Sequence, residues 1–533
     1  MLFLIVIISL VLWSGVLFLK YTYSVPNYGG SYTEGIIGQP LYVNPVLSES
    51  NEVDGALVKL IYSSLFDYDI YGKIKLSLAD RYDISEDKKI YTVYLKKGIH
   101  WHDGKELTAK DVVYTVKIIQ DPAYKSPLRQ SWQGVKVEKV DDYTIKFILN
   151  KPYFNFLNNL TVGILPQHIW EDVPVEKFSL VKYNLEPIGS GPYKFKNIQK
   201  DADGNILTYY LEAFDNYFDF PAYITDLQFN FYPDQNSLIE AYKKKEVQGM
   251  GNILPEKIDD LKKSNFTKVY QISIPHYFTV FFNQSKSVPL SYQEVRKALN
   301  LSVNREEIID KVLYKQGRSI CQLSINDEKQ ECSFDIKKAN EILDKEGWKR
   351  GSDGYRAKDN QVLEFELVTF DWPELNQISK ILEEQWKKIG AKVKVKIVSV
   401  TDLQQNYIRP RNYKALLFGQ ATTFSPDYYP YWYSAFRKDP GLNFALFKDE
   451  EADKILEKTR EENNTEKRNK EYVKLREIIK EKNPVVFLYS PYYLYVINSK
   501  VKGVDLKKIN ALSYRFANVN HWYIKTKRIL KLH

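Results

Sequence analysis

The spacing of hydrophobic residues changes within one short stretch, residues 91–113. Tyr91–Leu95 is rich in β-branched and aromatic side chains, which predicts a strand. The Asp-Gly pair at 103–104 predicts a tight turn, because glycine adopts positive φ without strain. Thr108 is followed three residues later by Asp111, a pattern typical of a capping box at a helix start. The stretch therefore predicts a strand, a turn and a helix N-terminus in close succession.

The same analysis predicts elements along the rest of the chain. They are a hairpin over 135–149, a helix over 375–389, a strand with one polar face over 393–397, a buried strand over 414–419, a charged helical stretch over 453–481 and a buried strand pair over 484–497. Helices that alternate with strands indicate an α/β lobe. We interpret the charged stretch as a solvated helix face.

The first 19 residues carry no charge. A helix of that length would span the hydrocarbon core of a bilayer, about 30 Å thick. Lys20, Tyr21 and Tyr23 follow as residues typical of a membrane interface. We predict that residues 1–20 form an uncleaved transmembrane anchor with the soluble body outside the cytoplasm. A cleaved secretory signal is the alternative.

Composition narrows the classes of function. A chain of 533 residues predicts two or three domains. Its 76 Lys and Arg residues are spread among 67 acidic residues, so we expect no nucleic-acid partner. Tyr and Trp are abundant, with 41 and 9 copies, which suits a binding protein, although a general tyrosine bias explains them equally well.

The two cysteines are close in sequence, at Cys321 and Cys332. In an exported protein this arrangement predicts a single small disulfide loop. Two free thiols are the alternative.

Motifs for catalysis are absent from the sequence. It contains no Walker motif, no G-x-G-x-x-G and no H-E-x-x-H, and Gly189-Ser190-Gly191 is not the elbow of a hydrolase. His100 and His102 flank Trp101 and could share one face of a strand, but no third metal ligand is evident, so we favour a packed turn. We therefore expect no catalytic residues, no metal and no cofactor, with a hydrolase as a remote alternative.

The stretch 91–113 also resembles a known family signature. The matching residues are Tyr91, Thr92, Leu95, Gly98, Trp101, Asp103, Gly104, Leu107, Thr108, Ala109, Asp111, Val112 and Val113. They are similar to the signature of the extracellular solute-binding proteins of the peptide/nickel type, family 5, which are capture subunits of ABC importers. Further similar pieces occur at 28–48, 186–195 and 516–523, so the resemblance runs from about Gly29 to Tyr523.

The resemblance implies an α/β protein with the two-lobed periplasmic-binding-protein fold, type II-like and of cluster C, preceded by the transmembrane helix. The first lobe would carry an extra subdomain. The expected divisions are lobe I over 28–60, 181–277 and 485–525, the extra subdomain over 61–180, and lobe II over 278–484. The chain would cross between the lobes near His276 and again near Pro484.

The resemblance also implies a ligand site between the lobes. The strand and loop at 416–434 would supply Gly419, Gln420, Asp427, Tyr428 and Trp432. Gly419 would let ligand backbone approach, Asp427 would accept a cationic group, and the aromatic residues would form a wall. For each aromatic residue, packing within the loop is an equally strong alternative. The opposite side would come from Gly38 and Gln39 in the loop 34–42, together with Trp132.

One feature departs from the family pattern. Peptide-binding members hold the ligand's amino terminus with an Asp that falls near Phe424 in this chain. Here the sequence continues Ser425-Pro426-Asp427-Tyr428 instead.

The expected function is capture of an oligopeptide for an ABC importer. The expected partners are the oligopeptide or another small solute, the permease subunits of the transporter, and the membrane through the N-terminal helix; we expect a monomer. One alternative is a non-peptide ligand, an oligosaccharide or a metal chelate. The other is an extracellular chaperone or adhesin with no transport role.

Overall fold

The computed structural model describes residue 13 and residues 19–48, 51–323 and 330–531. Most of the predicted anchor, residues 1–12 and 14–18, lies outside the described residues. Among the residues that are described, no helix has the length and apolar character needed to cross a membrane.

The described strands run in chain order as follows. The first twelve are β1 (Thr22–Pro26), β2 (Ser31–Ile37), β3 (Phe66–Tyr68), β4 (Ile74–Leu76), β5 (Ala79–Ile84), β6 (Ile90–Leu95), β7 (Val135–Asp141), β8 (Thr144–Leu149), β9 (Tyr193–Lys200), β10 (Ile206–Ala213), β11 (Asp226–Tyr232) and β12 (Gly249–Met250). The others are β13 (Thr267–Ser273), β14 (His276–Phe282), β15 (Gly317–Ser319), β16 (Lys349–Arg350), β17 (Arg356–Lys358), β18 (Gln361–Val362), β19 (Glu364–Phe370), β20 (Lys392–Val398), β21 (Ala415–Ala421), β22 (Val485–Asn498) and β23 (Thr526–Leu530).

The described α-helices are distributed over the whole chain. They are Glu52–Ile61, Ala109–Gln120, Phe156–Asn159, Gln167–Trp170, Gln235–Lys243, Ile258–Lys262, Val288–Ser291, Gln293–Leu301, Arg305–Lys311, Ile336–Lys345, Pro373–Lys387, Val400–Asp402, Tyr429–Trp432, Glu450–Glu461 and Thr465–Lys482.

One long sheet connects both lobes. Its strand order is β20-β19-β21-β14-β22-β12-β2-β11-β10-β9, and β13 and β15 also pair with β22. The first part of β22 pairs with β14, and its last part, from Tyr492 to Asn498, pairs with β13. Between these parts, Ser490 and Pro491 pair with the short strand β15. The strand β22 therefore belongs to both lobes.

The sequence analysis was wrong about this last strand. It predicted a strand pair over 484–497, whereas the structure has one continuous strand of 14 residues. The chain stays extended through Ser490-Pro491, where it pairs with β15. The proposed boundary of lobe II at residue 484 coincides with the beginning of β22, while Val486 and Leu488 pack in the core of lobe II. We keep the predicted lobe ranges as a proposed division and use their names below.

The extra subdomain contains a four-stranded antiparallel sheet in the order β5-β6-β8-β7. The predicted hairpin over 135–149 is confirmed as β7 and β8, which pair from Val135↔Leu149 to Asp141↔Thr144. The predicted capping box is also confirmed, because the backbone N–H of Thr108 donates to the Asp111 carboxylate at 2.9 Å.

His102 joins two separate motifs of the sequence. Its Nδ1 accepts the backbone N–H of Gly189 at 3.1 Å, and its Nε2 lies 3.0 Å from the carbonyl oxygen of Gly191, to which it donates. Both bonds are satisfied only by the neutral imidazole. Burial lowers the pKa of His102 to about 4, which keeps the ring neutral. His102 thus fixes the extra subdomain to the turn that begins the next segment of lobe I.

The two cysteines form a disulfide in the structure. Cys321 and Cys332 are bonded through their Sγ atoms, with their Cα atoms 5.6 Å apart.

Candidate functional site

A cleft of about 960 Å³ lies between the extra subdomain and lobe II. Residues between 127 and 135 and between 149 and 159 form the subdomain wall. Residues between 427 and 442 and between 457 and 461 form the opposite wall. A volume of this size is at the upper end of what small-molecule sites occupy, about 300–1,000 Å³.

Direct contacts join the two walls at residues 153–155. The backbone N–H of Phe154 donates to the carbonyl oxygen of Arg460 at 3.1 Å. The Asn155 side-chain amide donates to the carbonyl oxygen of Ser425 at 3.0 Å. The guanidinium of Arg468 lies 3.7 Å from the centroid of the Phe154 ring, within the range of a cation–π contact. The extra subdomain and lobe II are therefore in contact beside the cleft.

Arg460 occupies the centre of the lobe II wall. Its guanidinium carbon is 4.8 Å from the ring centroid of Tyr153 and 4.4 Å from that of Tyr429. The two tyrosines come from opposite walls, so this one cation interacts with both sides of the cleft.

Asp427 is paired with this arginine. Its Oδ1 accepts the backbone N–H of Tyr429 at 3.1 Å, and its Oδ2 lies 3.2 Å from Nε of Arg460. The Asp427 side chain is only 8% exposed, against 36% for Arg460. Burial raises the pKa of Asp427, while the charge of Arg460 opposes the rise. The carboxylate that was expected to accept a cationic ligand group already has a cation from the protein.

The strand β21 has an incompletely paired edge. On one edge β14 pairs along its whole length, whereas on the other edge β19 pairs only at Ala415 and Leu416. Within the described residues, the segment 418–421 therefore has a strand neighbour on one side only. Gln420 extends from this segment and donates its side-chain N–H to the carbonyl oxygen of Leu442 at 3.0 Å. Leu442 lines the cleft, so the side chain of Gln420 connects β21 to the cleft wall, although residues 418–421 do not themselves line the cleft.

The loop after β2 is held by a buried carboxylate. The backbone N–H groups of Leu41 and Tyr42 donate to Asp54 at 2.7 and 2.9 Å. Burial raises the pKa of Asp54 to about 6. Gly38 has a φ of +98°, which L-residues rarely adopt, and Asn51 donates to the carbonyl oxygen of Gln39 at 3.0 Å.

A much smaller cavity, of about 50 Å³, lies where the chain first crosses between the lobes. It is lined by His276 and Tyr277 from β14, by Thr422 and Thr423 after β21, and by Tyr428. Tyr428 therefore lines this separate cavity and not the large cleft.

The chain matches the model of a known protein family. Residues 73–441 match the family model described as bacterial extracellular solute-binding proteins, family 5, middle part. The chain belongs to this family. Family 5 proteins are extracytoplasmic two-lobed α/β proteins that bind solutes, so the resemblance in the sequence is confirmed.

Relatives of this family 5 protein bind different solutes. It is 31% identical over 514 residues to the oligopeptide-binding protein AppA of Bacillus subtilis, covering 94% of this chain and 92% of the relative. The structure of AppA with a nonapeptide matches with a TM-score of 0.72 and 29% identity, over 94% of this chain and 100% of that one. NikZ of Campylobacter jejuni, in complex with Ni(L-His), matches with a TM-score of 0.74 and 25% identity, over 92% and 99%.

The predicted ligand residues of this family 5 protein do not form one cluster. Asp427 lines the large cleft, and Gly419 and Gln420 lie on the strand beside it. Gly38 and Gln39 lie at the end of β2, and neither lines the cleft.

Two of the predicted ligand residues, Trp132 and Trp432, are buried in cores and do not line the large cleft. Trp432 is 1% exposed and packs on Phe447 and Phe487 in lobe II. Trp132 is 2% exposed and packs on Phe147 and Phe156 in the extra subdomain. Each indole ring fills a large part of its core. The sequence pattern does not indicate whether such a ring points into the core or toward the cleft.

The sequence analysis did not identify three residues that lie in or beside the cleft: Tyr153, Arg460 and Arg468. The two arginines belong to a stretch that was interpreted as a solvated face, which is correct for most of its charges. Arg468, however, is only 4% exposed. Its guanidinium donates to the nearby carbonyl oxygen of Glu462 at 2.9 Å and packs on the ring of Phe154. The sequence gives no sign of this aromatic partner, which is some 300 positions distant.

Proposed function

We propose that the protein captures an oligopeptide in the cleft between the extra subdomain and lobe II and delivers it to an ABC permease. The peptide would add as a strand to the open edge of β21 at 418–421. Recognition through backbone hydrogen bonds would read the length and backbone of the ligand more than its side chains.

The observation that carries this proposal is the one-sided pairing of β21 beside the cleft. Exposed strand edges accept further strands because their N–H and C=O groups need partners. A flexible ligand that presents alternating N–H and C=O groups is the natural occupant of such an edge. The oligopeptide bound by AppA, a relative at 31% identity, supports the same ligand class.

The ion pair of Asp427 and Arg460 affects how the ligand ends are held. Because Asp427 is neutralised by Arg460, we propose that the amino terminus of the peptide is not bound by this carboxylate. Binding would then depend on the peptide backbone and on the tyrosine side chains of the two walls.

Native mass spectrometry of the full chain, purified in detergent, tests the ligand class. A series of extra masses that fragment into short peptides is the expected result. A single non-peptide mass would refute the oligopeptide proposal. An empty protein that also binds no peptide from a mixed library would favour the chaperone or adhesin alternative.

N-methylated peptides test the binding mode. Only every second backbone N–H of an added strand points toward the strand that it pairs with. With a peptide identified by mass spectrometry, methylation at one set of alternate positions should weaken binding about tenfold per lost bond, since a buried partner is then left unpaired. Methylation at the intervening positions is the matched control. Equal losses at both sets would contradict strand addition.

A metal chelate or similar anionic solute is the second candidate. The pairing of Asp427 favours it, because the buried carboxylate in the described cleft lining already has Arg460 as its cation, whereas the other two, Glu457 and Glu461, are exposed to solvent. The structural neighbour NikZ, whose structure contains Ni(L-His), has a similar fold. Elemental analysis of the purified protein distinguishes this candidate.

We also propose that residues 1–20 tether the protein to the membrane. The proposal depends on the absence of charge over the first 19 residues. Alkaline extraction of membranes combined with N-terminal sequencing tests it. An intact start and resistance to extraction support a tether, whereas a new start after residue 20 would refute it.

A further inference from the structure

The two ends of the described chain are joined in a small antiparallel ribbon. β1 and β23 pair from Thr22↔Leu530 to Pro26↔Thr526 and form a sheet of their own. The backbone N–H of Lys531 extends the pairing by donating to the carbonyl oxygen of Tyr21 at 2.8 Å. We call this two-stranded element the terminal ribbon.

The charge of the terminal ribbon has a single sign. Residues 1–33 and 506–533 contain no Asp or Glu. The exposed lysines of the ribbon and its flanks are Lys20, Lys525, Lys527 and Lys531. Arg528 adds a fifth cation and donates from Nε to the Thr22 hydroxyl at 2.8 Å. Basic residues therefore accumulate here, although elsewhere in the chain they are mixed with acids.

Large apolar and aromatic side chains are exposed beside these lysines. The exposed fractions are 58% for Leu19, 48% for Tyr21, 47% for Tyr23, 37% for Ile529 and 68% for Leu530. Tyr23 is directly opposite Ile529, and Val25 is opposite Lys527, so these four side chains share one face of the ribbon. Aromatic, aliphatic and cationic groups on one surface are typical of protein segments at a membrane interface.

We propose that the terminal ribbon binds the surface of an anionic phospholipid bilayer. The lysines would contact headgroup phosphates, and the tyrosines and leucines would enter the interfacial layer. The uncharged residues 1–19 lead directly into β1, so the ribbon is the first folded element after the proposed tether. The inference uses the tether to bring the ribbon to the membrane, and it goes beyond solute capture because it fixes how the body is oriented.

The surface fits a bilayer better than a protein partner. Lys527 shares its face of the ribbon with Tyr23 and Ile529, and Lys525 and Lys531 continue the same alternation. One lysine-rich face can neutralise a uniformly charged plane without the shape complementarity that a protein interface needs. Each Lys or Arg near an anionic membrane contributes about 1 kcal/mol, or about fivefold in the contact equilibrium. Three lysines removed together should therefore weaken the contact more than tenfold.

The test uses the full chain in lipid nanodiscs with an environment-sensitive fluorophore on Ile529→Cys, which lies on the same face of the ribbon as Lys527 and Tyr23. Discs of neutral phosphatidylcholine are compared with discs that contain about 30% phosphatidylglycerol, enough to create a negative surface potential. We expect blue-shifted emission only with the anionic lipid. The shift should be lost in K525Q/K527Q/K531Q and in about 0.5 M salt, where screening shortens the reach of charge to about 4 Å.

The matched control is K337Q/K338Q/K345Q. These three lysines are exposed on the helix Ile336–Lys345 in lobe II, so this variant loses the same charge and should keep the shift. Equal emission in both kinds of disc would overturn the proposal, as would equal loss in the two triple variants. Insertion of the protein into neutral discs is measured separately. A failure to insert would refute the proposed tether, and it would not refute the membrane contact of the terminal ribbon.

Discussion

The imidazole of His102 shows how one side chain connects two parts of the molecule. It accepts a hydrogen bond from Gly189 and donates one to Gly191, so only its neutral form makes both. Its folded pKa of about 4 is below the ordinary value of 6.5. The unfolded chain therefore binds the proton more readily, and acid favours unfolding.

Acid titration tests this role of His102. The free energy of unfolding should fall as the pH is lowered from 6.5 to about 4, because the unfolded state takes up a proton that the folded state excludes. His102→Gln should remove this part of the pH dependence. Denaturant unfolding at a series of pH values measures it. Exposed His100→Gln is the control, and a slope unchanged in the His102 variant would contradict the assignment.

The pair of Asp427 and Arg460 gives a second prediction. Arg460→Met leaves a nearly buried carboxylate without its cation, which should cost about 2 kcal/mol at neutral pH. The cost should shrink in acid, since a protonated Asp427 no longer needs a partner. Asp427→Asn combined with Arg460→Met should recover most of the stability in a double-mutant cycle.

Exposed Lys454→Met, on the same helix as Arg460, is the control for loss of a positive charge. If both methionine variants have the stability of the parent at neutral pH, the ion pair does not contribute.

At the level of elements, the turn after residue 186 fits closely against the end of the helix Glu52–Ile61. A Cβ atom on Gly189 would lie 1.9 Å from the Ile61 carbonyl oxygen, and one on Gly191 would lie 2.5 Å from that of Leu60. No side chain fits at either position. The glycines of this motif are therefore required by the contact of two backbones.

Gly189→Ala should destabilise the protein by about 3 kcal/mol, because the turn or the helix end must move to accept the methyl group. Gly55→Ala, in the same helix, is the matched control. Outside its own helix, the nearest atom to the new Cβ would be the Cβ of Ser513, 3.8 Å away, and alanine favours a helix by up to about 1 kcal/mol over glycine. Thermal unfolding of both variants checks the prediction, and similar losses in both would contradict it.

The helices and strands were easier to predict from the sequence than the side-chain contacts between them. The helix over 375–389 and the buried strand over 414–419 appear as Pro373–Lys387 and as β21. Periodicity predicted them because one local rule determines each. The inward turn of Trp432 and the pairing of Asp427 with Arg460 depend on segments that are distant in sequence, so the local pattern did not indicate them.

For the whole molecule, we propose that the lobes close around the ligand by a hinge motion and that the contact between Phe154 and Arg468 beside the cleft stabilises the closed form. Phe154 lies in the extra subdomain and Arg468 in lobe II, so separation of the walls would break the contact. Contacts made only in the closed form set how much of the free protein is closed.

Phe154→Ala should shift the free protein toward an open form. Loss of the cation–π contact costs about 1–2 kcal/mol, which corresponds to an increase of about 5- to 30-fold in the open-to-closed ratio. Ligand affinity should fall by up to the same factor, because less of the protein is competent. Small-angle scattering measures the opening, and Phe334→Ala, at an exposed position of lobe II, is the control. An unchanged radius of gyration and affinity would refute the role of this contact.

The continuous strand β22 has a mechanical consequence. Because the same strand runs through the parts of the long sheet that belong to the two lobes, the lobes cannot separate without deforming this strand. Any opening must be absorbed as torsion of β22 and of the neighbouring crossing between β13 and β14. Pro491 lies at the middle of β22 and has no N–H to contribute to the ladder, so twisting there sacrifices fewer hydrogen bonds than elsewhere along the strand. The part of β22 that twists most easily is therefore near Pro491, at the boundary between the cores of the two lobes.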